Sequence, residues 1–138
     1  MSKKKVLFLC TGNSCRSQMA EAIVNSCLGG EWEAFSAGVE PAGFVHPMAV
    51  RALDEIGIQH SGYSKSIDQF KNEFFDLVVT VCDDAAENCP LWLGKGKRIH
   101  QGFMDPARML GTDEEKMSAF RAVRDQILEK IIELLRNN

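Results

Sequence analysis

The sequence predicts an α/β fold in which a four-stranded, doubly wound parallel sheet is flanked by helices. Short apolar runs typical of buried strands alternate along the chain with helical patterns, which favours parallel strands joined by helical crossovers. The first apolar run also leads through a polar loop directly into a helix, and folds of this class bind ligands beyond the carboxyl ends of their strands. The length of 138 residues suits one domain, and we expect a single domain over residues 1–138.

The first half of the chain predicts two strands and two helices. Residues 5–10 form an apolar run typical of a buried strand, and alternation over residues 32–37 indicates a second strand. Residues 17–28 predict a helix because apolar side chains recur on one face. That face carries Met19, Ala20, Ile23, Val24 and Cys27. Pro47 can open a second helix and Gly57 can close it. Its expected core-facing residues are Ala49, Leu53 and Ile56.

The second half supplies the remaining strands and a long helix. Residues 58–74 predict a mixture of loop and short helix, residues 74–82 form the strongest strand pattern, and residues 98–101 predict a short fourth strand. Residues 83–93 predict a loop with a short helical piece. Residues 113–136 predict an amphipathic helix. Its apolar positions are Met117, Phe120, Val123, Ile127, Ile131 and Leu134.

The predicted topology brings three reactive side chains together. A doubly wound sheet of four strands favours the strand order 2-1-3-4, with its switch point between the first and third strands. Cys10 ends the first strand, Cys82 ends the third, and Asp105 follows the fourth. These groups are therefore expected to converge on one edge of the sheet, which is the main reason to predict an enzyme.

Composition narrows the classes of function. A net charge of −3 and a pI of about 5.6 argue against nucleic-acid binding. The apolar run after the lysines at positions 3–5 is too short for a signal peptide or a membrane span, so we expect a cytoplasmic protein. Five cysteines without a secretion signal are expected to be reduced thiols. We expect a monomer, and we expect His46, His60 and His100 to be solvated or locally bonded.

The loop from Cys10 to Ser17 is the candidate active site. It reads Cys-Thr-Gly-Asn-Ser-Cys-Arg-Ser, and its backbone N–H groups beside a helix N-terminus would bind a tetrahedral oxyanion. A thiol in that field is expected to be partly ionised, which makes Cys10 the candidate nucleophile. An arbitrary cysteine at this position would more often fill the core, and the loop and Arg16 favour function. The expected oxyanion-binding residues are Thr11, Gly12, Asn13, Ser14, Cys15, Arg16 and Ser17.

Individual side chains of the site suggest distinct roles. Arg16 presents a planar pair of donors that can grip two oxygens of an oxyanion. Gly12 is predicted to adopt a positive φ in a tight turn, and Asn13 to tolerate the left-handed region and brace the loop. Ser17 either caps the helix or donates a hydrogen bond to the nucleophilic thiolate. Asp105 is the candidate general acid, although an aspartate before proline is also common in ordinary turns.

Cys82 and Cys89 either fill the core or form a redox pair, and their spacing matches no usual zinc site. In a fully helical segment their Cα atoms would lie about 10 Å apart. A disulfide requires less than roughly 7 Å. The pair therefore closes only if the segment is a loop or rearranges, and we hypothesise that oxidation remodels residues 83–93. Cys15 and Cys27 are interpreted as packing residues.

Several motifs carry a resemblance to a known family. They are residues 10–21, Ser36-Ala37-Gly38, Val81-Cys82, Asn88-Cys89-Pro90 and Asp105-Pro106-Ala107. Together they resemble the thioredoxin-coupled arsenate reductases, which share the low-molecular-weight tyrosine phosphatase fold, and the resemblance extends over nearly the whole chain. The loop alone is shared with the phosphatases, whereas its combination with the two downstream cysteines is more specific.

The resemblance implies a reaction that detoxifies arsenic. Cys10 would attack arsenate held by the loop and Arg16, and Asp105 would protonate the departing oxygen. Cys82 would then attack Cys10, so that arsenic takes two electrons and arsenite leaves. Cys89 would resolve the disulfide between Cys10 and Cys82, and thioredoxin would reduce the resulting Cys82–Cys89 disulfide.

The resemblance also raises the question of a cation. Some family members bind potassium near the loop through the matches of Asn13, Glu21 and Ser36 and an oxygen-rich turn. Here that turn, residues 62–65, reads Gly-Tyr-Ser-Lys, and Lys65 stands where an acidic residue would help to hold the cation. The sequence therefore argues against potassium, and we expect no cofactor or metal. We expect the Lys65 ammonium to replace potassium by pairing with Glu21.

The principal alternative is a low-molecular-weight protein tyrosine phosphatase that hydrolyses phosphate monoesters through a phosphocysteine. Those enzymes usually have an aromatic residue where Ala107 stands and commonly a proline where Gln18 stands, and they do not need Cys82 and Cys89. Weak phosphatase activity is compatible with the site, since phosphate and arsenate share shape and charge. A phosphocysteine carrier is disfavoured by Arg16 in a closed anion loop, and catalytic turnover would exclude a simple arsenic sensor.

Overall fold

The computed structural model describes residues 3–83 and 96–138. The described residues contain four strands in one parallel sheet, ordered β2-β1-β3-β4. The strands are β1 (Lys4–Cys10), β2 (Trp32–Gly38), β3 (Leu77–Thr80) and β4 (Lys97–His100). Cys10 pairs with Gly38 of β2, and Leu9 pairs with Thr80 of β3. The predicted strand order and parallel pairing are confirmed.

Three α-helices occur in the described part of the chain, and their ends follow from local sequence. They are α1 (Arg16–Cys27), α2 (Pro47–Asp54) and α3 (Asp113–Arg136). Proline occupies the first turn of α2, where its missing N–H costs nothing, and His46 Nδ1 accepts from Met48 N. Thr112 and Glu115 form a reciprocal capping box that starts α3. Short 3₁₀ helices cover Ile67–Phe70 and Pro106–Arg108.

The side chains of β1 alternate between two buried clusters, as the pleat requires. Val6, Phe8 and Cys10 belong to the larger cluster, to which all three α-helices contribute. Leu7 and Leu9 belong to a smaller cluster, to which Phe70 and Phe75 contribute. Burial on both faces explains why β1 is a continuous apolar run. The alternation also directs the Cys10 side chain toward the helical layer.

Several expectations from the sequence are wrong at the ends of elements. The third strand spans Leu77–Thr80 rather than residues 74–82, since Phe74 is exposed and Phe75 packs edge-on against Phe35 and Phe70. The apolar residues of this segment indicate that it is buried, and the buried segment is longer than the part that pairs with neighbouring strands. Two residues expected to face the core are exposed because they lie at or beyond the ends of their helices, namely Cys27 and Ile56. In α3, Leu135 is buried more deeply than Leu134.

The segment expected to remodel on oxidation lies largely outside the described residues, which resume at residue 96. In residues 3–83 and 96–138, no helix is long and apolar enough to cross a membrane.

Candidate active site

The loop between β1 and α1 surrounds a pocket of about 310 Å³ at the carboxyl edge of the sheet. The predicted site residues that line it are Cys10, Thr11, Gly12, Ser14, Cys15, Arg16 and Asp105. Asn13 and Ser17 are fully buried and do not line the pocket. The structure therefore separates the predicted set into residues that face a ligand and residues that support the loop.

A hydrogen-bond chain supports the nucleophile. Ser17 Oγ lies 2.8 Å from Cys10 Sγ and accepts a 2.8 Å hydrogen bond from Asn13 Nδ2. The orientation of the Asn13 amide follows from its other side, where Oδ1 accepts from the Lys65 backbone N–H at 2.8 Å. A thiolate can only accept, so the Ser17 hydroxyl donates to Cys10 when that residue is ionised. Of the two alternatives for Ser17, the structure has the hydrogen bond to the Cys10 thiol. Ser17 does not cap the helix, since α1 has no side-chain cap.

The backbone of the loop differs from the prediction at one position. Asn13 has a positive φ of 48°, whereas Gly12 does not, so the expectation for Gly12 is wrong. Asparagine tolerates this region because its short polar side chain bonds locally, here to Ser17. The glycine that the loop does require is Gly38 of β2. A Cβ at that position would lie 2.5 Å from Thr11 O and 2.9 Å from Asn13 N.

Arg16 and Asp105 approach the pocket from different elements. Arg16 begins α1, is only 3% exposed, and donates from Nη1 to Phe103 O at 3.1 Å. Asp105 begins the 3₁₀ helix at Pro106, where its Oδ1 accepts from Ala107 N at 3.0 Å. Its Oδ2 lies 3.7 Å from Arg16 Nη2. The guanidinium and the carboxyl group are thus both held by backbone contacts at one pocket.

Two further loop residues have distinct electrostatic surroundings. The Ser14 hydroxyl is buried, and apart from the neighbouring Cys15 thiol it has no hydrogen-bond partner among the described residues. A buried hydroxyl with so weak a partner is suited to a bound oxyanion. Burial, followed by the negative charges of Asp105 and Cys10, raises the pKa of the Cys15 thiol to about 12. Cys15 is therefore a neutral thiol that packs in the wall of the pocket.

The cysteines differ in redox state. Cys10, Cys15 and Cys27 are free thiols, whereas Cys82 is disulfide-bonded. Cys82 is fully buried two residues beyond β3, in the same cluster as Cys10. Val81 N donates to Leu9 O at 2.8 Å, so the chain that leads to Cys82 runs beside the end of β1, and Cys10 and Asp105 line one pocket. Cys89 lies outside the described residues.

An ammonium group occupies the region where a cation was considered. Lys65 is only 7% exposed, and its Nζ donates to Tyr63 O at 2.9 Å and lies 3.8 Å from Glu21 Oε1. Glu21 Oε1 also accepts from Ser36 Oγ at 2.9 Å. A potassium ion bound there would face the positive charge of Lys65 at close range, which opposes its binding. Among the described residues, no cluster of His, Cys, Asp or Glu is arranged to hold a metal ion.

Two polar residues that support the loop were missed by the sequence reasoning. Gln18 is fully buried, and its Nε2 donates to Asn13 Oδ1 at 2.9 Å and to Tyr63 O at 2.9 Å. Its Oε1 lies 2.6 Å from His60 Nε2. The available signal was a glutamine beside the apolar stripe of α1, where an amide needs internal partners. His46, the cap of α2, also lines the pocket.

Comparison with known proteins agrees with this geometry. A family model described as low molecular weight phosphotyrosine protein phosphatase matches residues 5–137. An arsenate reductase of Halalkalibacterium halodurans is 53% identical over 132 residues, which cover 95% of this chain and 94% of that protein.

Solved structures are similar along most of their length. An arsenate reductase of Archaeoglobus fulgidus superimposes with a TM-score of 0.79 at 34% identity, covering 94% of this chain and 97% of that one. A thioredoxin-dependent arsenate reductase of Corynebacterium glutamicum superimposes with a TM-score of 0.67 at 25% identity. That match covers 99% of this chain and 64% of the other.

Proposed function

Because the chain belongs to the low molecular weight phosphotyrosine protein phosphatase family, and because a disulfide-bonded cysteine follows β3, the strand that pairs with β1 and its anion loop, we propose that it reduces arsenate to arsenite. The observation that carries the proposal is that Cys10 at the end of β1 is a free thiol, whereas Cys82, just beyond the neighbouring strand β3, is disulfide-bonded. A hydrolytic phosphatase needs only the first of these cysteines. The similar arsenate reductases support the same assignment.

The first step forms a bond between sulfur and arsenic. Arsenate enters the pocket, where Arg16 and the loop N–H groups hold its oxygens, and the Ser14 hydroxyl gains a partner. The Cys10 thiolate attacks arsenic, and one arsenic–oxygen bond breaks. Asp105 donates a proton to the departing oxygen, which leaves as water. Arsenic remains in its oxidised state, bound to Cys10.

The second step transfers electrons. The Cys82 thiolate attacks the Cys10 sulfur, the sulfur–arsenic bond breaks, and its electron pair stays on arsenic, which departs as arsenite. The two sulfurs are thereby oxidised to a disulfide. The Cys89 thiolate then attacks the Cys82 sulfur and releases Cys10 as a thiolate. Since Cys10, Cys15 and Cys27 are free here, Cys89 is the proposed partner of Cys82.

The relay requires a reductant. We assign this role to thioredoxin, whose dithiol would be oxidised as it reduces the Cys82–Cys89 disulfide. The thioredoxin-dependent arsenate reductase of C. glutamicum supports the assignment. The proposed setting is arsenic detoxification by a monomer in the cytoplasm. Cys82 is fully buried in the disulfide form, so we propose that thioredoxin attacks the sulfur of its partner, Cys89, and the hypothesis that residues 83–93 change conformation with redox state stays a prediction.

Hydrolysis of phosphate monoesters is a second candidate activity. The pocket contains a thiol, a guanidinium and a carboxyl group, which are also the groups needed to form and release a phosphocysteine. The residue after Asp105-Pro106 is Ala107 rather than an aromatic residue, although Phe44 and His46 line the pocket elsewhere, and hydrolysis makes no use of Cys82 and Cys89. We therefore propose phosphatase activity only as a weak side reaction.

Turnover of arsenate coupled to thioredoxin separates the two candidates. We expect wild type to turn over and Cys82→Ser and Cys89→Ser to lose multiple turnover, because neither variant can complete the relay. Cys27→Ser is the matched control, since Cys27 is a free, exposed thiol, and it should behave as wild type.

Hydrolysis of p-nitrophenyl phosphate is the second measurement on the same proteins. It should be slow in wild type and unaffected by Cys89→Ser. If both relay variants reduced arsenate like wild type, or if all variants hydrolysed the ester rapidly without reducing arsenate, the proposal would be wrong.

A further inference from the structure

We propose that the Lys65 ammonium is an internal cation that positions the nucleophile loop, in place of a metal ion. It is a positioning residue, because it reaches Cys10 only through other side chains. The proposal concerns the state of Cys10 before any substrate binds. It therefore holds whether arsenate or a phosphate ester is the substrate, and it does not rest on the proposed function.

The ammonium is held as a bound cation would be. Its Nζ donates to Tyr63 O at 2.9 Å and lies 3.8 Å from Glu21 Oε1, and it stands 4.8 Å from the centre of the Tyr63 ring. The Lys65 and Glu21 side chains are 8% and 15% exposed. Burying a lone carboxylate or a lone ammonium is costly, so each charge requires the other. Glu21 is further held by Ser36 Oγ at 2.9 Å.

The same turn is bonded directly to the loop. The Lys65 backbone N–H donates to Asn13 Oδ1 at 2.8 Å, and Ser64 Oγ donates to Gly12 O at 3.0 Å. The carbonyl oxygen of Tyr63 accepts hydrogen bonds from both Lys65 Nζ and Gln18 Nε2. Gln18 Nε2 also bonds Asn13 Oδ1. The ammonium thus fixes the turn at residues 63–65, and the turn fixes the Asn13 side chain from two directions.

Asn13 transmits this position to the nucleophile. With Oδ1 occupied by the Lys65 N–H, the amide must present Nδ2 to Ser17 Oγ, and Ser17 then faces Cys10 Sγ at 2.8 Å. Asn13 also adopts a positive φ of 48°, a conformation that its surroundings must maintain. If the turn relaxes, the donor that stabilises the Cys10 thiolate loses its orientation.

Alkylation of Cys10 by iodoacetamide tests the proposal without arsenate. The reduced protein is compared with Lys65→Ser in choline, potassium and ammonium chloride, and modification of Cys10 is followed by peptide mass spectrometry. In choline we expect Lys65→Ser to react at least about threefold more slowly, since a hydrogen bond to a charged group is weakened. Potassium or ammonium ions should restore the rate by filling the vacated space beside Glu21, and wild type should not respond to the choice of cation.

Three further variants separate positioning from stability. Lys65→Ser/Glu21→Gln leaves no unpaired buried charge, so it should remain folded, and it should lose the rescue by potassium. Lys71→Ser, at an exposed lysine, should match wild type. Thr112→Ala weakens the capping box of α3, so it should lower stability without slowing alkylation.

The opposite results overturn the proposal. The proposal is wrong if potassium, compared with choline, changes the alkylation rate or the melting temperature of wild type. It is also wrong if Lys65→Ser reacts at the wild-type rate, or if it reacts slowly and neither potassium nor ammonium restores its rate.

Discussion

His46 shows how one side chain links the stability of the protein to its site. Its Nδ1 accepts a 3.1 Å hydrogen bond from Met48 N, which requires that nitrogen to be unprotonated. Burial lowers the pKa of His46 below its ordinary value, and Lys116 acts in the same direction, while Asp105 acts against both. His60, which contacts Gln18, also has its pKa lowered by burial. Both rings are therefore neutral groups that support the loop and the start of α2.

The lowered pKa values predict a loss of stability in mild acid. The unfolded chain binds a proton at each histidine near about pH 6.5, where the folded protein does not, so the free energy of unfolding falls as the pH drops below that value. Urea unfolding at about pH 7.5 and about pH 5.5 measures the loss, which we expect to be below about 1 kcal/mol for His46, because its ring is partly exposed.

His46→Asn should reduce this pH dependence, because asparagine can cap α2 without titrating in this range. His100→Asn, at an exposed histidine, is the control. Equal pH dependence in wild type and His46→Asn would contradict the prediction.

At the scale of elements, the site is made where β1, β2 and the turn at residues 63–65 meet. Cys10 and Gly38 are paired residues at the ends of their strands, and Gly38 N bonds Lys65 O at 2.9 Å. Thr11 O accepts from Glu40 N at 3.0 Å, so the chain that leaves β2 continues along the loop. The loop is therefore supported along its backbone by neighbouring segments that are distant in sequence.

Gly38→Ala should disrupt this junction. The added Cβ would meet the backbone of the loop at 2.5 Å, and a backbone atom cannot yield as a flexible side chain does. We expect a loss of about 2 kcal/mol in the free energy of unfolding, as for overpacking elsewhere, together with weaker binding of phosphate. Urea unfolding and phosphate titration measure the two effects. Gly30→Ala is the control, since its Cβ would meet no atom within 4 Å, and a loss of equal size there would refute the explanation.

At the scale of the whole molecule, the sheet gathers groups from separate parts of the chain around one pocket. Arg16 follows β1 and Asp105 follows β4, yet their side chains lie 3.7 Å apart. The larger buried cluster extends from β1 and β3 through all three α-helices. A ligand that binds at this junction should therefore stabilise the folded protein as a unit.

Oxyanions should raise the unfolding free energy. At a hundredfold excess over its dissociation constant, arsenate or phosphate should add about 2.7 kcal/mol, measured as a rise in melting temperature. Arg16→Lys should remove most of the effect at the same concentration, because an ammonium cannot grip two oxygens. Arg51→Lys changes an exposed arginine in the same way and should respond as wild type does. A full response in Arg16→Lys would exclude the assigned role of the guanidinium.

The sequence by itself determined the elements and the candidate chemistry. Apolar runs and alternation located the strands, and the bounds of α3, Asp113–Arg136, were confirmed because the regular apolar stripe that predicts this helix is a local signal. The alternation of strands with helices along the chain predicted the order of strands in the sheet. The composition of the loop predicted Cys10, Arg16 and the oxyanion pocket. The third strand was predicted to be too long, because apolar residues indicate burial and not hydrogen-bonded pairing with a neighbouring strand.

The tertiary structure decided how the site is supported. Only the folded chain distinguished the two roles of Ser17 and showed that Asn13 rather than Gly12 has a positive φ. The pairing of Lys65 with Glu21 was expected from the family resemblance, and the structure adds the hydrogen bond from Lys65 Nζ to Tyr63 O. Local sequence patterns report the preferences of a side chain and its near neighbours in the chain. These contacts depend instead on short-range hydrogen bonds and charges between segments that meet only when the sheet forms, so no local pattern could reveal them.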